Sequence, residues 1–229
     1  MLRHLTIPCL LALLLPASYA QPLYRDCRNE LNLDHPAPEL RAYRLQAHTA
    51  DGQLQPNPAD DRSWQAVPLS NPFRLAVTQI QGDGMQVQDT LSWPVQLPPR
   101  PRFALTAGGR PVPMEEGKMK VNLQDEYVLC IQPDADFAQA YPQDAAYGMV
   151  SVTVVAVYSK KNQYETTWRL PSVQQLALQQ LSQYHDPTEE KAPRYYEIRV
   201  TEVSRTNYAG QVLNSSQGMP TPLVLQPRD

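Results

Sequence analysis

Twenty-three prolines among 229 residues set the tightest limit on what this chain can form. Each proline fixes φ and removes a backbone donor, so helices and central strands must fit between them. An average globular protein carries roughly 5% proline, about half as much. The intervals left are short, and several alternate apolar with polar residues. That alternation is the period of a strand with one buried face.

Tyr43, Leu45 and Ala47 mark one side of such a run over 41–48. Phe73, Leu75 and Val77 do so over 73–80, and Met85, Val87, Leu91 and Trp93 over 85–93. Gly82-Asp83-Gly84 between the last two predicts a hairpin. Residues 97–101, Leu-Pro-Pro-Arg-Pro, read as a stiff extended connector. Beyond it, 102–106, 119–123 and 127–131 are further strands. Residues 149–158 form a valine-rich run apolar on both faces, as expected of a central strand. Lys160-Lys161-Asn162-Gln163 turns the chain into 164–170, where Tyr164, Thr166 and Trp168 alternate. Residues 50–64 and 134–148 read as loops, 195–203 as a strand, and 223–225 as an edge strand or an unattached tail. Ser172 with Gln175 forms a capping-box pattern ahead of Val173, Leu176, Ala177, Leu181 and Tyr184, a stripe at helical spacing.

These runs predict a mainly β protein: an antiparallel β-sandwich, with an immunoglobulin-like arrangement among the forms the pattern admits, and one short amphipathic helix near 172–185. Residues 21–229 make one composite domain, or two subdomains dividing near 97–101.

Residues 1–20 have a basic start at Arg3, an apolar run, and small residues up to Ala20. This is the layout of a secretory signal peptide, with an apolar run too short to span a membrane. The protein is therefore expected to be periplasmic or extracellular, beginning at Gln21. Without Arg3 the remainder has 19 basic and 23 acidic residues, a formal charge of −4. With no basic run, that balance excludes a nucleic-acid partner. No other apolar stretch is long enough for an integral membrane segment.

Cys9 falls inside the leader, and the residues before it do not make a lipid-attachment motif. Cys27 and Cys130 remain. In an oxidising compartment they are expected to form one disulfide, closing a loop of 102 residues. Such a bridge would contribute about 4–5 kcal/mol in the chain-entropy model.

The chain has no Gly-x-Ser-x-Gly elbow, no Ser-x-x-Lys and no His-Glu-x-x-His. His35 reads as a turn residue, His48 as a strand end and His185 as a helix end. No cofactor and no catalytic or metal-binding residues are expected. Asp60-Asp61 and Asp134-Ala135-Asp136 fall short of a calcium site, and Met114 and Met119 lack the His or Cys that copper would need. Glu115, Glu116, Glu189 and Glu190 read as solvated loop carboxylates.

Trp93 and Trp168 alternate with apolar residues and read as core. Trp64, Tyr141 and Tyr147 lie in predicted loops, where aromatic rings can stack on a sugar or fill a protein interface. Asn214-Ser215-Ser216 is a glycosylation sequon if the source modifies exported proteins. The expected function is a non-catalytic binding or accessory protein of the envelope or exterior, acting by protein–protein contact. The alternatives are a carbohydrate-binding module built on the three loop aromatics, and a hydrolase whose site is assembled from distant residues.

Overall fold

Most of the alternating runs pair as antiparallel strands. The computed structural model describes residues 22–32, 43–47, 50–59, 63–80, 86–178, 180–215 and 221–228. The expected leader, His35, His48, Asp60-Asp61 and the Gly82–Gly84 turn lie outside them. The chain divides into two compact units, one ending at Pro98 and one starting at Pro99.

The first unit contains β1 (Leu23–Tyr24), β2 (Asn29–Asn32), β3 (Tyr43–Ala47), β4 (Gly52–Pro56), β5 (Ser63–Pro68), β6 (Phe73–Ile80), β7 (Gln86–Trp93) and β8 (Val95–Gln96). They form the sheets β2-β5-β4 and β3-β6-β7 and the parallel pair β1-β8. One core draws on all three: Leu23, Leu31, Ala66, Phe73, Leu75, Trp93 and Val95 are buried together. The pleat places alternate residues of each strand on that side. Asn29 fixes the entry of the chain. Its buried amide donates to the carbonyls of Tyr24 and Cys27 at 2.8 Å each and accepts from the Tyr24 N–H at 2.7 Å. Residues 50–64, expected as a loop, contain β4 and the start of β5. The turn-forming residues are there, but they punctuate strands that pair with each other.

The second unit is a β-sandwich. Its strands are β9 (Arg102–Ala107), β10 (Arg110–Pro111), β11 (Met114–Glu115), β12 (Lys118–Val121), β13 (Tyr127–Gln132), β14 (Ala146–Ser159), β15 (Asn162–Val173), β16 (Gln175–Leu178), β17 (Tyr195–Thr206), β18 (Val212–Ser215) and β19 (Leu223–Pro227). One sheet has the order β10-β9-β13-β16, the other β11-β12-β19-β17-β14-β15, with β18 also on β17. Phe103 and Leu129 of the first sheet meet Ile198, Val200 and Leu223 of the second around a small cavity that Thr221 also lines. Apolar side chains from both inner faces thus fill one layer.

β14 is the central strand that its valines predict, buried on both faces over most of its length. β19 is interior as well. It pairs parallel with β12 and antiparallel with β17, and Leu225 is fully buried.

The expected helix over 172–185 is not formed. Those residues are the end of β15, β16 and a short 3-10 turn at Leu181–Gln183. Leu176 fits a helical stripe with Leu181 and Tyr184 but also strand alternation with Leu178, and pairing of Leu176 and Leu178 with Leu129 and Tyr127 of β13 decides between them. Ser172 does not cap a helix. It has φ +68 and lies near the end of β15, and the chain bends at Gln174 before entering the other sheet. The one α-helix among the described residues is α1 (Ala135–Ala140), in a stretch expected as loop. The Asp134 carboxylate caps it by accepting from the Phe137 N–H at 3.2 Å, and Phe137 is buried beneath it.

Candidate functional site

β15 is the most distinctive surface element. It ends its sheet, so one side pairs with β14 and the other has no partner strand among the described residues. At 12 residues it is about 40 Å long. The two-residue turn at Lys160-Lys161 precedes its start, and a bend at Gln174 follows its end.

The solvent face of β15 carries Gln163, Glu165, Thr167 and Arg169, all exposed. Thr167 shares a hydrogen bond with Thr153 of β14 at 2.8 Å. Glu165 lies across Val155 from Glu197 of β17. Arg199 spans this row, donating to Glu197 Oε2 at 2.6 and 3.0 Å and to Glu165 Oε1 at 3.4 Å. Val155, flanked in register by Glu165 and Glu197, is fully buried. Arg169 reaches only 3.9 Å from Glu202, and its side chain is 84% exposed. The exposed Arg169–Glu202 and Arg199–Glu165 contacts, at 3.9 and 3.4 Å, contribute little to stability.

The other face of β15 presents Tyr164, Thr166, Trp168 and Leu170. Tyr164 is 37% exposed and the remaining three are half-buried. Trp168, expected in the core, meets Tyr184 edge to face with ring centres 5.2 Å apart. β15 thus offers unpaired backbone, a row of opposite charges and a row of partly covered aromatic and aliphatic groups. Such an edge can accept a strand from another chain.

The three residues expected to bind a ligand each pack within their own unit. Tyr147 lies in β14, is buried, and donates its hydroxyl to the Pro99 carbonyl at 2.9 Å. It presents no ring face to a sugar. Tyr141 follows α1 and stacks on Phe137 with centres 5.2 Å apart. Trp64 lies in β5 and packs half-buried against the core of the first unit. Trp93 is in that core, as expected.

Cys27 is buried in the turn before β2, and Cys130 lies half-buried in β13. The structure contains no disulfide between them, so the expected pairing has no support from it.

His185 is exposed beside Asp186. The Asp186 carboxyl is held below its usual range by hydrogen bonds from the Thr188 hydroxyl and N–H. That is a turn stabilised by its own side chains. Met114 and Met119 are opposed on β11 and β12, but Met119 is buried. Among the described residues there is no group of three or more His, Cys, Asp or Glu side chains able to hold a metal ion.

The signal for β15 was present in the sequence. Glu165 and Arg169 stand symmetrically about Thr167, on the face opposite Tyr164, Thr166 and Trp168. Sheet order, which makes this run an edge, is set by distant strands.

No family model and no curated protein matches the chain. Among solved structures, the chain is similar to the FN1–FN3 domains of chicken CNTN1 at 12% identity and TM-score 0.24, covering 90% of this chain and 67% of that one. It is also similar to a Bacteroides ovatus protein titled SGBP-B of a mixed-linkage glucan utilization locus, in complex with a mixed-linkage heptasaccharide. There the identity is 8% and the TM-score 0.23, with 90% of this chain and 65% of that one covered. At such scores neither likeness bears on the function or on the position of a site.

Proposed function

We propose that the protein is an exported, non-catalytic binding or accessory protein of the cell envelope or exterior, acting by contact with another polypeptide chain. The observation that supports this reading is the open edge of β15. Its backbone can extend the sheet, and its alternate side chains can select the incoming strand. Export rests on the leader pattern of residues 1–20. Protein contact also suits the acidic balance of the chain, which disfavours nucleic acid.

The test is a photo-crosslinking residue placed at Gln163 or Thr167, with the protein returned to its native compartment. Adducts to polypeptide at these positions, and none at an exposed position in the first unit such as Leu69, support the reading. Adducts to glycan alone would replace it with the carbohydrate-binding alternative and direct attention to Trp64 and Tyr141. Adducts to polypeptide at Leu69 but not on β15 would overturn β15 as the contact surface.

A further inference from the structure

We infer that the partner strand on β15 is β15 of a second copy, paired antiparallel about a two-fold axis through Thr167. This inference rests on the protein-contact reading of that edge. An antiparallel pair of identical strands is self-complementary when residues equidistant from its centre attract each other.

Centred on Thr167, Glu165 of each copy faces Arg169 of the other, and the two Thr167 side chains face each other. On the opposite face Thr166 meets Trp168 and Tyr164 meets Leu170. The pairs at 164/170 and 166/168 place apolar or β-branched groups against aromatics that a single copy leaves partly exposed. A centre shifted by two residues sets Glu165 against Glu165 or Arg169 against Arg169. A shift by one separates each charge from its counterpart. The charge pattern therefore selects one register among those the strand length allows.

The known obstacles to edge pairing lie at the margins of this frame, since the ladder with β14 is regular from Gln163 to Arg169 and shifts register between Arg169 and Val173. Lys160 and Lys161 lie in the turn, beyond the 163–171 segment. Pro171, which lacks an N–H, sits at its last position, where an edge strand tolerates it. Both charged groups are accessible: the side chains are 53% exposed for Glu165 and 84% for Arg169.

Sedimentation velocity over a concentration series tests the inference. The parent should shift from monomer to dimer. Glu165→Arg alone, or Arg169→Glu alone, replaces two attractive pairs with two repulsive ones and should weaken association by about tenfold or more. The double variant Glu165→Arg/Arg169→Glu should regain the dimer. Within one copy, Glu165 faces Arg199 and Arg169 faces Glu202, and the double swap restores neither contact. Recovery therefore reads the pairing between copies.

Disulfide trapping gives a second readout. Opposed Thr167 positions would have Cα atoms about 5 Å apart, within disulfide reach, whereas the two Gln163 positions would be about 26 Å apart. Thr167→Cys should give a covalent dimer on oxidation, and Gln163→Cys should not. A parent that stays monomeric, or a dimer indifferent to the single charge swaps, overturns the self-pairing. The protein-contact reading survives that result if the photo-adducts on β15 are to a different polypeptide, and falls with it if there are none.

Discussion

Asp144 and Arg205 form a buried ion pair: the guanidinium lies 3.8 Å from the Asp144 carboxylate and donates to the Asp144 carbonyl at 3.1 Å. The same carboxylate accepts from the Tyr208 N–H at 2.9 Å. One side chain therefore ties the segment after α1 to the end of β17 and the turn beyond it. Removing one member of such a pair leaves a charge in a dry site. Asp144→Ala is expected to lower stability by about 3–5 kcal/mol, measured by denaturant unfolding. A loss under about 1 kcal/mol would show that water reaches Arg205.

At the corner where β15 leaves its sheet, Gly148 sits against Ser172. A Cβ on Gly148 would lie 2.1 Å from the Ser172 hydroxyl and 3.1 Å from that of Ser204. Gly148→Ala should destabilise the protein by roughly 1–3 kcal/mol through overpacking. Ser172→Gly in the Gly148→Ala background removes the closest contact and suits φ +68, so it should recover much of the loss. Additive effects in this double-mutant cycle would mean that the two residues do not meet.

The Tyr196 hydroxyl is buried with no hydrogen-bond partner among the described residues. Burial, with a smaller effect from Tyr158, pushes its pKa up to about 12. The folded value lies above the ordinary tyrosine value of about 10. Its contribution to stability is therefore complete below about pH 10 and disappears as the pH rises toward 12. Burial shifts Tyr127 and Tyr158 in the same direction. An ultraviolet titration of tyrosinate should show late-ionising components, of which the latest is lost in Tyr196→Phe. The same variant should match the parent in stability at neutral pH or exceed it by about 1 kcal/mol.

In the first unit, Arg74 grips the buried Asp51 carboxylate with two hydrogen bonds, at 2.6 and 3.0 Å, and Ser70 adds a third at 3.0 Å. The Asp51 carbonyl accepts from the Leu69 and Ser70 N–H groups. Asp51→Ala should loosen the connection between β5 and β6. The expected readout is a lower unfolding midpoint by the fluorescence of Trp93, which lies in the same unit's core. An unchanged midpoint would show that the side-chain bonds of Asp51 to Arg74 and Ser70 add no net stability.

Strand character was legible where a run alternated, as in β15, or where it was rich in valine and apolar on both faces, as in β14. The 172–185 segment was misread because Leu176, Leu181 and Tyr184 fit a helix while Leu176 and Leu178 fit a strand. Only the partner β13, distant in sequence, breaks that tie. α1 was missed because its six residues contain one buried apolar side chain, Phe137, too few to set a period. Tyr147 was misplaced in a loop for a related reason. Pairing with β17 extends β14 back to Ala146, so a residue expected in a loop lies inside the sandwich. The charges of β15 were visible in the sequence, but their exposure at an edge depends on sheet order.

Because β15 continues through Ser172 into β16, one uninterrupted segment forms a margin of both sheets of the second unit. Its ladder bonds to β14 run across the strand direction. A pull along β15 from an attached chain would load those bonds in shear, so that many must break together, and would pass tension around the corner to β13. An attachment at this edge is suited to bearing mechanical force.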